Sequence, residues 1–138
     1  MYQKLTIVGN VGRDPEMRYM GDGTAVTNFS VATNRSWTNR DGEKVDETTW
    51  FRVSVWGRQA EATNQYLSKG SKVLVEGRLV ADPATGGPRI WSRQDGGVGA
   101  SFEIRADSVR FLSSRNEMDL VPAGGFETVG QEEDDIPF

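Results

Sequence analysis

Cysteine and histidine are absent from the chain of 138 residues. Without cysteine it cannot form disulfides or thiolate metal sites. Without histidine it lacks the most common zinc ligand and the general base of a Ser-His-Asp triad. Long apolar runs are also missing, and residues 1–4 contain nothing typical of a signal peptide. These absences lower the expectation of an enzyme, and they favour a cytoplasmic protein without a cofactor.

The net charge of −4 conceals an uneven distribution. Residues 1–112 carry 15 Lys and Arg against 13 Asp and Glu, a net charge of +2. Residues 113–138 carry one Arg against seven acids, a net charge of −6. A mildly basic body and an acidic tail indicate an anionic partner for the body and a separate role for the tail. A tail that merely improves solubility is the alternative.

Alternation of apolar and polar residues dominates residues 1–112 and predicts five strands. Their apolar faces are Leu5 and Ile7; Thr27, Phe29, Val31 and Thr33 (a strand over about 25–35); Phe51, Val53 and Val55; Val73, Val75 and Leu79; and Phe102, Ile104 and Ala106. Residues 58–67 instead favour a helix, with Ala62 and Tyr66 on one face and Lys69-Gly70 at its end. The predicted fold is therefore all-β: a five-stranded OB-fold barrel with one short helix between strands three and four.

Irregular segments are also marked in the sequence. Gly77 lies inside the fourth strand and predicts a bulge or a bend, and a shift of apolar parity near residues 107–108 predicts a break in the fifth. Residues 81–100, rich in Gly and Pro, are expected to form a long, mobile hairpin between these strands. We interpret residues 113–131 as a flexible linker and 132–138 as a terminal motif, which together form a disordered acidic tail.

The third strand carries the feature that points to function. If Phe51, Val53 and Val55 face inward, then Trp50, Arg52 and Trp56 face solvent, and exposed tryptophans need a reason. Indole rings stack on bases of any sequence, and guanidinium groups bind phosphates. Two further tryptophans have Arg neighbours in regions that form the binding face of an OB fold. The candidate nucleic-acid-binding residues are thus Trp37, Trp50, Trp56, Trp91, Arg35, Arg52, Arg89 and Arg93.

Each of these tryptophans has another interpretation. Trp50 and Trp56 could be buried at a subunit interface, where tryptophan is also enriched, although Arg52 would fit poorly in a dry interface. Trp37 could simply anchor a turn. Trp91 lies in a glycine-rich loop with little core to join, which favours stacking.

Several motifs in order resemble bacterial single-stranded DNA-binding proteins. They are residues 7–19 (IVGNVGRDPEMRY), 31–33 (VAT) leading to Trp37, 49–53 (TWFRV), 66–71 (YLSKGS), 75–79 (VEGRL) and the terminal DDIPF of residues 134–138. The chain departs from the family pattern at Phe51, where His is common, in an apparent insertion over residues 81–90, and in a short linker.

The resemblance implies a homotetramer whose aromatic side chains stack on single-stranded DNA. Residues 1–112 would then form the DNA-binding and oligomerisation domain. The family's stacking positions correspond to Trp37, Trp50, Trp56 and Trp91. The tip, Asp134, Asp135, Ile136, Pro137 and Phe138, would bind replication and repair proteins. Association with the nucleoid in the cytoplasm follows from the same resemblance.

Three other functions compete with this one. The first is an RNA-binding or primosome-accessory OB protein. The second is a nuclease on the same type of barrel, which would need clustered acids to bind a metal. Asp41, Glu43, Asp46 and Glu47 form such a cluster, but it is predicted to lie in a solvated hairpin loop. The third is an oligomeric scaffold, which would leave the four Trp residues and their Arg neighbours unexplained.

Overall fold

The computed structural model describes residues 1–113 and contains seven strands and one helix in that range. The strands are β1 (Leu5–Val11), β2 (Glu16–Tyr19), β3 (Ala25–Thr38), β4 (Lys44–Trp56), β5 (Lys72–Leu79), β6 (Arg89–Ser92) and β7 (Val98–Phe111), and the helix α1 (Arg58–Tyr66) lies between β4 and β5. No helix within these residues is long and apolar enough to cross a membrane. The predicted linker (residues 113–131), apart from Ser113, and the predicted tip (residues 132–138) lie outside the described residues.

Five of the strands close into a barrel in the order β1-β5-β7-β4-β3, and β3 pairs again with β1. All of these pairings are antiparallel except β4 with β7. The five are the predicted strands, and α1 lies where the helix was predicted. The prediction of an OB fold is confirmed.

The barrel interior is filled by the alternating apolar residues of these strands. Val31, Val53, Val55, Val73 and Val75 are fully buried in one cluster that also contains Ile7, Phe29 and Ile104. Because successive side chains of a strand point to opposite faces, the inward direction of Val53 and Val55 directs their neighbours on β4 outward.

The bulge predicted at Gly77 is present. Glu76 pairs with Ser108 and Gly77 with Ala106, so Asp107 is an extra residue on β7, which explains the parity shift seen in the sequence. The strands approach so closely here that a Cβ atom on Gly77 would collide with the carbonyl oxygen of Arg105. Glycine is therefore required by packing at this point.

The helix α1 packs on the barrel through Ala60 and Thr63 rather than through Ala62 and Tyr66. The buried hydroxyl of Thr27 on β3 donates a 2.6 Å hydrogen bond to the carbonyl of Ala60 and joins the helix to the sheet. Tyr66 is exposed and contacts the ring of Phe111 at a centroid distance of 5.8 Å.

The alternation of apolar and polar residues did not predict two of the strands, β2 and β6. The short β2 pairs with β3, and β6 pairs with the first residues of β7, so part of the 81–100 segment is a regular hairpin arm. Phe102 also departs from expectation. Its side chain is 52% exposed and contacts Phe51, with a centroid distance of 6.0 Å, at the edge of the core.

Candidate nucleic-acid interface

The outward face of β4 carries Trp50, Arg52, Ser54 and Trp56 in alternate positions. At about 3.3 Å per residue, this row extends about 20 Å along the barrel. Trp50 is 54% exposed, and Trp56 is partly buried. The sequence predicted this arrangement, and it follows directly from the burial of Val53 and Val55 on the opposite face.

A groove at one end of the row, the Trp50–Trp91 groove, has a volume of ≈ 560 Å³. Its walls include the two indoles, Arg13, Arg52 and the Phe51–Phe102 pair. A smaller cleft shares Arg13, Ser30 and Arg52 with it and continues along β3 to Asn28. The structure thus brings Trp50, Trp91 and Arg52 together, and it adds Arg13 from the turn after β1.

A second groove, the Trp56 groove, lies at the other end of the row and has a volume of ≈ 820 Å³. Trp56 shares it with Arg78, Arg105, Glu103 and the N-terminal residues 1–3. The guanidinium of Arg105 lies 5.2 Å from the centroid of the Trp56 ring, within the range of a cation–π contact. The Oγ of Ser101 donates to Glu103 Oε2 at 3.0 Å and so positions this carboxylate, the one acid among the described residues that line the groove.

All four indoles have one side in contact with the protein. The Trp50 ring lies against Gly12, and the Trp91 ring lies against Gly99, close enough that a Cβ on either glycine would be within 3 Å of ring atoms. The rings of Trp37 and Trp56 are covered by arginine guanidiniums. Trp50 and Trp91 are 54% and 44% exposed, so these two rings keep open surface on which a base can stack.

Trp37 lies apart from the other three tryptophans. It pairs with Val45 in the part of the β3–β4 hairpin that extends beyond the barrel, and its parity places it on the opposite face from Trp50, whose partner is Ala32. Arg35 lies over its ring at 4.4 Å from the centroid. Trp37 and Arg35 line neither the Trp50–Trp91 groove, the cleft beside it nor the Trp56 groove.

Arg89 and Arg93 flank the Trp91 side of the interface. Arg89 begins β6 and shares the strand face of Trp91, whereas Arg93 lies in the turn to β7, where its N–H donates to the carbonyl of Gly97. Both side chains are exposed, and neither lines the Trp50–Trp91 groove, the cleft beside it or the Trp56 groove.

Three groove arginines were not singled out by the sequence: Arg13, Arg78 and Arg105. Closure of the barrel brings them beside β4. Arg105 is the easiest to recognise in hindsight, because it alternates with the buried Ile104 on β7 and pairs with Ser54 of the tryptophan row. The acids at 41, 43, 46 and 47 form no metal-binding group with one another, and no such group occurs in residues 1–113.

Comparison with known proteins identifies the family. Residues 2–112 match the single-strand binding protein family. The chain belongs to this family. The single-stranded DNA-binding protein of Wolinella succinogenes is 39% identical over 127 residues, which cover 92% of this chain and 72% of that protein. The protein of the same name from Neisseria meningitidis is 40% identical over 114 residues, 83% of this chain and 62% of that protein.

Solved structures agree with this assignment. A Plasmodium falciparum SSB in complex with ssDNA superposes with a TM-score of 0.67 at 28% identity, covering 82% of this chain and 97% of that one. A deletion mutant of the single-stranded DNA-binding protein from Thermus aquaticus gives 0.63 at 27% identity, over 84% of this chain and 53% of that one. Members of the single-strand binding protein family are DNA-binding proteins and not enzymes.

Proposed function

We propose that this protein coats single-stranded DNA without sequence preference and protects it during replication, recombination and repair. The observation that carries the proposal is the state of the indoles. Trp50 and Trp91 lie against Gly12 and Gly99 and are 54% and 44% exposed, and arginine guanidiniums lie over the rings of Trp37 and Trp56. Stacking accepts every base, because each base has a π-face.

The positions of the rings and cations support a path for the DNA strand. Bases stack on Trp50 and Trp91 in one groove and on Trp56 in the other, and the backbone passes between them along β4. Arg13, Arg52, Arg78 and Arg105 line these grooves and bind phosphates. Trp37 and Arg35 on the hairpin, and Arg89 and Arg93 beside β6, extend the contact to further nucleotides.

Assembly into a homotetramer would place several such surfaces side by side and lengthen the strand that is bound. The free edge of β1 supports a contact between N-terminal strands. Residues 5–9 pair with β5 on one edge only among the described residues, and Val8 is exposed. Lys4 Nζ lies 2.7 Å from Glu76 Oε2 at this end. That hydrogen bond raises the pKa of Lys4 and lowers the pKa of Glu76, so both stay charged.

Partner recruitment is the proposed role of the tip. In its sequence, four acids precede Ile136, Pro137 and Phe138. A tail that only improves solubility has no use for two apolar residues at its end, whereas a hydrophobic pocket with a basic rim would bind them and the terminal carboxylate. Replication and repair proteins of the cytoplasm and nucleoid are the proposed partners.

A titration with oligo-dT, followed by intrinsic tryptophan fluorescence, tests the proposal. Fluorescence should fall on binding, with a site of roughly 4–16 nucleotides per barrel. Mixed-sequence single strands should bind with comparable affinity, and duplex DNA should compete poorly. Preference for RNA over DNA of the same sequence would favour the RNA-binding alternative, and no fluorescence change would favour the scaffold.

A further inference from the structure

Two glycines lie directly beneath the indoles of the Trp50–Trp91 groove. A Cβ atom on Gly12 would lie 2.5 Å from Cζ3 and 2.9 Å from Cη2 of Trp50. A Cβ on Gly99 would lie 2.7 Å from Cε2 and Cζ2 and 2.9 Å from Nε1 of Trp91. Carbon atoms in contact are ordinarily about 3.5–4.0 Å apart, so each ring occupies space that any other residue would fill.

The backbone conformation does not explain these glycines. Neither has a positive φ, and in the strand that contains Gly99 alanine would be the better residue. The backbone also has little freedom to retreat. The N–H of Gly12 donates to the carbonyl of Ser30 at 2.9 Å, and Gly99 pairs with Trp91 across the β6–β7 ladder. Addition of a methyl group at either position therefore displaces the ring and leaves the backbone in place.

The ring, in turn, covers the glycine. Gly99 is buried although its neighbours Val98 and Ala100 are exposed, and the 44% exposure of Trp91 is consistent with one covered and one open side. The contact thus fixes both the height of each indole above the sheet and the side from which a base can approach.

We propose that Gly12 and Gly99 are positioning residues for DNA binding, which hold the indoles of Trp50 and Trp91 flat against the backbone so that their outer faces are presented to bases. This rests on the proposed function, since it assumes that both rings stack on bases. The glycines themselves need not touch DNA. Their effect on affinity passes through the rings.

The test is a double-mutant cycle of Gly99→Ala with Trp91→Ala, measured as oligo-dT affinity on the full chain. Loss of a stacked base corresponds to about 5- to 150-fold for Trp91→Ala. Gly99→Ala should weaken binding at least about threefold and by less than Trp91→Ala, because a displaced ring keeps part of its stacking. In the Trp91→Ala background, Gly99→Ala should change nothing. Gly12→Ala with Trp50→Ala forms a second, independent cycle.

Gly87→Ala is the matched control, because it has no positive φ and its Cβ would meet only Thr85 Oγ1, at 3.6 Å. It should leave affinity unchanged. The thermal midpoint of Gly99→Ala should be no lower than that of the unmodified protein. Wild-type affinity in both Gly99→Ala and Gly12→Ala would overturn the inference and leave the stacking proposal intact. The same conclusion would follow if each glycine substitution weakened DNA binding by the same factor in the Trp→Ala background as in the unmodified protein. Wild-type affinity in Trp91→Ala and Trp50→Ala would instead contradict stacking itself.

Discussion

Replacing Arg52 by glutamine should make DNA binding less sensitive to salt. Arg52 lies between Trp50 and Trp56 on β4 and lines both the Trp50–Trp91 groove and the adjoining cleft. Glutamine keeps much of the side-chain length and can still donate hydrogen bonds, but it carries no charge. The substitution thus removes one phosphate-binding cation while the neighbouring rings stay in place.

The magnitude follows from the number of groove arginines. Arg13, Arg52, Arg78 and Arg105 line the grooves of one barrel. Each phosphate contact to a single strand contributes about −0.7 to the slope of log affinity against log salt, so four contacts give a slope of about −2.8. Affinity should then fall about 50-fold between 50 and 200 mM salt in the unmodified protein, and about 20-fold in Arg52→Gln.

The assay is fluorescence anisotropy of a labelled oligo-dT of about 10 nucleotides, short enough for one barrel, titrated at several salt concentrations. Arg58→Gln is the control, because Arg58 is exposed at the start of α1 and lines none of the described grooves. It should leave the slope unaltered. Trp50→Ala should lower affinity by a similar factor at every salt concentration. An unchanged slope in Arg52→Gln would refute the assignment of Arg52 as a phosphate ligand.

Three further predictions concern stability, assembly and the tail. Thr63 Oγ1 is buried without a hydrogen-bond partner among residues 1–113, so Thr63→Val should raise the free energy of unfolding by about 1 kcal/mol. Thr27→Val loses the hydrogen bond to Ala60 and should lower the free energy of unfolding by about 1–2 kcal/mol. Chemical denaturation measures both values, and the opposite order would show that the two hydroxyls are misassigned. Light scattering should give a tetramer, which Val8→Lys on the free edge of β1 dissociates, and a monomer at micromolar concentration would contradict assembly through β1. Deletion of residues 132–138 should abolish capture of replication and repair partners while single-strand affinity stays equal or rises slightly at low salt; loss of DNA binding with partners still captured would reverse the roles of body and tail.

Alternation in the sequence was sufficient to predict the barrel and the outward direction of Trp50 and Trp56. Both depend on local patterns, because a strand with one buried face has a fixed register of inward residues. The bulge at Gly77 was predictable for a similar reason, since a glycine within a strand and a later parity shift mark an irregular ladder.

Contacts between distant parts of the chain could not be predicted in this way. β6 lies in a segment whose glycines and prolines resemble a loop, and only its pairing with β7 makes it a strand. The approach of Gly12 to Trp50 depends on closure of the barrel, as does the position of Arg13 beside Arg52. Trp37 shows that a similar local sequence does not guarantee a similar position in the fold. Its sequence neighbourhood resembles that of the other tryptophans, yet the hairpin carries it to a different face.

The affinity of Trp50 and Trp56 variants for oligo-dT tests the central claim most directly. Each residue is replaced by alanine and, in parallel, by phenylalanine, which retains an aromatic ring. We predict that Trp50→Ala and Trp56→Ala each weaken binding by about 5- to 150-fold, in line with about 1–3 kcal/mol for one stacked base, and that the phenylalanine variants retain most of the affinity. Alanine variants that bind oligo-dT as tightly as the unmodified protein would contradict a stacking surface on β4.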